Sequence, residues 1–199
     1  MLPADNTTYR ILGVDPGTVK MGYALLEING NQMKTMDIGV IFLDALSEHP
    51  TRLLKILERL RTIIETYKPS IMAIEAPFYA KNVQSMLKLG RAQGVAMAIG
   101  MDKGLEIFEY SPRKIKQSVT GNGNASKEQV AFLLQSQLKI DLTGQFLDAT
   151  DALSAAVCHF HQNGKIAVSK SKSLPKKTRN TWKNFINENP DKLKKHDFQ

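Results

Sequence analysis

The chain has 199 residues, 42% hydrophobic and 23% charged, which suits one domain with a small appendage and excludes a disulfide scaffold or a wholly disordered chain. Its single cysteine, Cys158, rules out an intramolecular disulfide and a cysteine-rich zinc site, and neither a basic-then-apolar leader nor a run of about 18 apolar residues is present, so a cytoplasmic protein without a membrane anchor is expected. The net charge of +8 sits almost wholly in residues 164–199, with ten Lys and Arg against three Asp and Glu; such a tail attracts polyanions by counterion release.

The apolar run 10–15 is closed by the turn signal Pro16-Gly17, and a second run, Met21 to Ile28, ends at the hairpin pair Asn29-Gly30. Met33 to Leu43 completes three strands with short links, which predicts an antiparallel meander. The period then changes. Leu53, Leu57, Leu60 and Ile64 recur at helical spacing until Lys68-Pro69. Residues 70–76 are apolar on both faces, as in a central strand covered by helices.

A long helix is predicted over 82–101. Its small residues Gly90, Ala92, Gly94, Ala96 and Ala98 let another helix approach, which makes it the candidate dimer interface. Residues 105–110 form a fifth strand. Two further helices follow, one after Ser126 with Gln129 placed for a capping box, and one over 148–161. The expected fold is α/β, a mixed five-stranded sheet of three antiparallel strands and two joined through helices, with helices on both faces. The boundaries drawn are an extension at 1–9, a domain at 10–163 and a basic tail at 164–199, in which Trp182, Phe185 and Ile186 form the apolar cluster.

Four carboxylates stand in unusual places. Asp15 and Glu75 each end a strand on a face otherwise apolar or small (Ile11, Gly13; Ile71, Ala73). Asp148 and Asp151 are three apart at a helix start and share a face with Ala152, Ala155 and Ala156. Singly, Asp148 reads as a cap and Asp15 as a turn residue. Together they are costly unless a partner neutralises them, and a hard divalent cation is the natural one. Arg113, Lys114 and Lys116 make a basic cluster nearby, and Lys127 opens a helix behind Gly121-Asn122-Gly123. His159 and His161, two apart on a helix, face different ways and read as helix-end residues rather than metal ligands, and Cys158 reads as core.

The segments LGVDPGTVKMGYALLE, IEAPFYAKN with LKLGRAQGVA, YSPRKIKQSVTGNGNASK and DATDALSAAVCH resemble, in order and separation, the successive blocks of the RuvC-type crossover junction endodeoxyribonucleases. The resemblance covers about residues 9–162. It implies a ribonuclease-H-like fold, a homodimer, and Mg²⁺-dependent resolution of four-way Holliday junctions by symmetric nicking of two opposing strands in recombination and repair. It further implies the RuvA junction-binding protein and the RuvB branch-migration motor as partners.

Carried over residue by residue, the family's four acids fall on Asp15, Glu75, Asp148 and Asp151. Its base-stacking aromatic falls on Phe78, and its two lysines near the scissile phosphate on Lys116 and Lys127. Two ions, Mg²⁺ or substituting Mn²⁺, suit the chemistry: Asp15 bridges, Glu75 serves one ion, and Asp148 with Asp151 the other. Three other readings compete. They are a ribonuclease-H-like RNA-processing protein, an actin-like ATPase suggested by Asp15-Pro16-Gly17-Thr18, and a junction binder without catalysis. The paired DATD block and Phe78 favour the nuclease over the first, and the short chain disfavours the second.

Overall fold

The computed structural model describes residues 8–43, 48–77, 82–144 and 146–166. Phe78, Tyr79 and the tail beyond 166, with Trp182, Phe185 and Ile186, lie outside the described residues. The chain divides into one compact unit over residues 1–165 and a second over 166–199.

Strand β1 (Thr8–Asp15) pairs antiparallel with β2 (Lys20–Asn29), and β2 with β3 (Gln32–Phe42). Asn29 stays paired with Gln32, so the hairpin loop is Gly30-Asn31, one residue later than the Asn-Gly signal suggests. Gly30 takes the positive φ of 57° that so tight a link demands. Helix α1 (His49–Tyr67) leads to β4 (Ile71–Glu75), which lies parallel to β1. Helix α2 (Val83–Asp102), capped by the Asn82 side chain, leads to β5 (Glu106–Tyr110), parallel to β4.

The sheet order is β3-β2-β1-β4-β5. The central strand is therefore β1, with β4 one place off centre. Both are apolar on two faces because helices cover each side. One core cluster gathers Leu12, Val14, Met72 and Ile74 against α1 and α2. The other gathers Ile11, Ala24 and Ala73 against three helices: α3 (Pro112–Thr120), α4 (Lys127–Leu138) and α5 (Leu147–Ile166). Strand alternation thus assigns Ile11, Gly13, Asp15 and Ile71, Ala73, Glu75 to the α5 side.

Helix α3 is absent from the sequence reading, because nine residues hold too few turns for the apolar period to stand out. Its signals are local: Ser111 caps the Lys114 amide, Pro112 opens the first turn, and Ile115 and Val119 bury one face. The expected Ser126–Gln129 capping box is formed on α4. Helix α5 runs past His161 to Ile166, so the two histidines lie within it rather than at its end. His159 is fully buried, its Nδ1 2.8 Å from the Tyr110 hydroxyl and its ring 4.4 Å from that of Phe108. His161 Nδ1 lies 3.0 Å from the Ser118 carbonyl oxygen. Cys158 is buried.

Candidate active site

Two glycines decide where α5 lies. A Cβ on Gly13 would stand 2.0 Å from the Ala152 carbonyl oxygen, and one on Gly22 would stand 1.9 Å from that of Asp148. Gly22 is the β2 partner of Asp15. Bare backbone at these points lets α5 settle directly on β1 and β2, with Ala149, Ala152, Ala155 and Ala156 fully buried beneath it. Its first two turns then carry Asp148 and Asp151 to the sheet end where Asp15 and Glu75 emerge. Asp148 lies inside the first turn, one residue after Leu147, rather than at a cap position.

The electrostatics record the convergence. Burial pushes the Asp15 carboxyl up from its ordinary 3.8 to about 8, reinforced by the charges of Glu75, Asp151 and Asp148 and opposed by Lys127. Burial likewise pushes Glu75 up to about 7, with Asp151 adding to the rise and Lys127 and Lys116 opposing it. Lys127 Nζ donates to Asp151 Oδ2 at 2.5 Å. Burial works against the Lys127 charge, but the bond to Asp151 and the charges of Asp151, Asp15 and Glu75 outweigh it and raise its pKa.

Glu75, Asp151, Lys116 and Lys127 line one cleft of about 370 Å³ with Pro112, Ile115, Val130 and Ser154. Among the described residues no three carboxylate, histidine or cysteine side chains close into a ready-made metal cage. The donor set nonetheless fits a hard cation, being all carboxylate, with Asp15 and Glu75 raised in pKa by burial first and by neighbouring carboxylates second. Arg113 and Lys114 are exposed on α3 and do not line the cleft; Arg113 lies along Gly123. Ser154 is a lining residue that the sequence reading passed over. Its hydroxyl donates to the Thr150 carbonyl within α5, and its place one turn after Asp151 was the available signal.

A family model described as crossover junction endodeoxyribonuclease RuvC matches residues 11–159. The chain is 55% identical over 184 residues to a protein of that name from Cytophaga hutchinsonii, covering 92% of this chain and 88% of that one. It is 51% identical over 187 residues to its namesake from Porphyromonas gingivalis, covering 92% and 96%. Among solved structures, Thermus thermophilus RuvC in complex with a Holliday junction substrate superposes with a TM-score of 0.73 at 23% identity, covering 78% of this chain and 94% of that one. The yeast mitochondrial Holliday junction resolvase Ydc2 does so with a TM-score of 0.62 at 14% identity, covering 80% and 81%. At these identities the structures speak for the fold, which is the ribonuclease-H-like fold expected. With residues 11–159 matched by the family model and relatives half identical across 92% of its length, this chain belongs to the crossover junction endodeoxyribonuclease RuvC family.

Proposed function

We propose that this chain is a divalent-metal-dependent endonuclease that resolves four-way DNA junctions by nicking two opposing strands symmetrically, in homologous recombination and DNA repair. The observation that carries the reading is the meeting of four acids where burial and repulsion leave Asp15 and Glu75 in need of a cation. An all-oxygen donor set suits Mg²⁺, with Mn²⁺ as a substitute. Asp15, Glu75, Asp148 and Asp151 would hold the ions, Asp15 serving two of them, Glu75 one, and Asp148 with Asp151 the other. When bound, such a pair supplies an activated water and neutralises charge on the phosphate and the leaving 3′ oxygen.

The remaining work falls to the chain itself. Lys116 and Lys127 hold the scissile phosphate by charge, Lys127 exchanging its Asp151 partner for it. Arg113 and Lys114 extend the basic surface along α3, and Phe78 receives an unpaired base by stacking. A homodimer matches the two-fold symmetry of two opposing cuts. Helix α2 packs Ala92, Ala96, Ile99 and Gly100 on the sheet, and its outer side offers exposed Val83, Leu87 and Met101 beside the open Gly90 and Gly94. RuvA and RuvB are the expected partners on the junction. No helix among the described residues is long and apolar enough to cross a membrane, in keeping with work on DNA in the cytoplasm.

The test is cleavage of a mobile-core four-way junction beside matched linear duplex, with Mg²⁺ and with EDTA. Paired nicks that need Mg²⁺, spare the duplex and vanish in Asp148→Asn support the reading. A junction left intact under all conditions contradicts it.

A further inference from the structure

A second feature stands at the same sheet end. Phe42 and Phe146 are each 47% exposed, and their rings meet edge to face with centroids 5.2 Å apart. The Lys20 ammonium lies 5.6 Å from the Phe42 centroid and 5.0 Å from that of Phe146. Exposed Val19 and Leu147 flank the cluster in sequence. A lone exposed phenylalanine needs no explanation, but two in contact beneath a cation make a built surface.

Its position ties it to the acids. Lys20 is the cross-strand partner of Phe42, and it lies two residues before Gly22, the partner of Asp15. Strand alternation therefore puts Lys20, Phe42, Gly22 and Asp15 on one face, the face that α5 covers. Phe146 is two residues before Asp148, and Gly22 lies directly under the Asp148 carbonyl. A nucleic-acid strand leaving the acids along this face of β2 would meet this cluster.

Resting on the nuclease reading above, we propose that Lys20, Phe42 and Phe146 form a nucleotide platform, on which an unpaired base of the cleaved strand stacks while the Lys20 ammonium meets a neighbouring phosphate. The chemistry selects this occupant. Aromatic faces take any base once it is unstacked, and the cation takes the backbone charge beside it. Duplex DNA keeps its base faces covered, so the platform favours branched over linear substrate.

The experiment measures binding of a four-way junction and a matched duplex in Ca²⁺, with 2-aminopurine placed in the junction arms near the branch point. The proteins compared are wild type, Phe42→Ala/Phe146→Ala, Phe146→Trp and Lys20→Gln. Because both phenylalanines are about half exposed, melting curves should match wild type, and Phe146→Trp keeps the stacking face. The double variant should lose about five- to hundred-fold in junction affinity, little in duplex affinity, and its 2-aminopurine quenching. Phe146→Trp should bind like wild type, and Lys20→Gln should flatten the salt dependence by about one phosphate contact. A double variant that binds and quenches as wild type does, or that loses junction and duplex alike, overturns the platform. If wild type cleaves the junction in Mg²⁺ while that happens, only the platform falls. If wild type neither binds nor cleaves it, the nuclease reading falls with it.

Discussion

Asp15 carries an identifiable cost of holding the site together. Its folded carboxyl titrates near 8 against an ordinary 3.8, so between those values the folded state holds more protons than the unfolded chain. Asp15's contribution to the stability of the metal-free protein therefore falls as pH rises from about 4 to about 8. Asp15→Asn removes this carboxyl and should raise the melting temperature at pH 8, by about 2–4 °C for each 1 kcal/mol gained, with little change at pH 4.5. Equal gains at both pH values would refute the assignment. His159 works in the opposite sense. Burial lowers it from 6.5 to about 4, so the stability it allows is complete above about 6.5 and is lost as pH falls toward 4. Tyr110→Phe removes the 2.8 Å hydrogen bond between the Tyr110 hydroxyl and the buried His159 Nδ1 and should cost about 1 kcal/mol in a denaturant melt. A change within a few tenths would show that the bond contributes nothing.

At the scale of elements, the site is made by how closely α5 approaches two strands. Gly13→Ala and Gly22→Ala would drive a methyl group into the Ala152 and Asp148 carbonyls, so α5 must lift. A displacement near 1 Å should lower junction cleavage by about a hundredfold, with about 1–3 kcal/mol of destabilisation; cleavage assays on the folded variants check this. The i,i+3 pair Asp148 and Asp151 and the strand-end acids were legible in the sequence, because alternation and helical period say which way each side chain points. The glycine contacts were not, since nothing local names the helix that will press on them. Helix α3 is too brief for its apolar period to show in the sequence, and β4 looks central there because its covered neighbour β1 is equally apolar. Lys20, Phe42 and Phe146 are brought together by sheet pairing and the α5 start, so no sequence window contains them.

For the whole molecule, charge is divided between a nearly neutral domain and a strongly basic C-terminal stretch. Truncation after Ile166 keeps α5 entire and removes that stretch. Junction affinity should fall and log K against log salt should flatten, while cleavage at saturating enzyme persists; unchanged affinity and slope would assign the tail no part in DNA binding. Whether Asp15, Glu75, Asp148 and Asp151 together make one divalent-metal centre is decided by titrating the protein with Mn²⁺ at pH 7.5 and counting bound ions by electron paramagnetic resonance. The wild type should bind about two ions per chain, with binding weakened or lost in Asp15→Asn, Glu75→Gln, Asp148→Asn and Asp151→Asn. Binding that survives unchanged in all four variants, or no binding by the wild type, would contradict it.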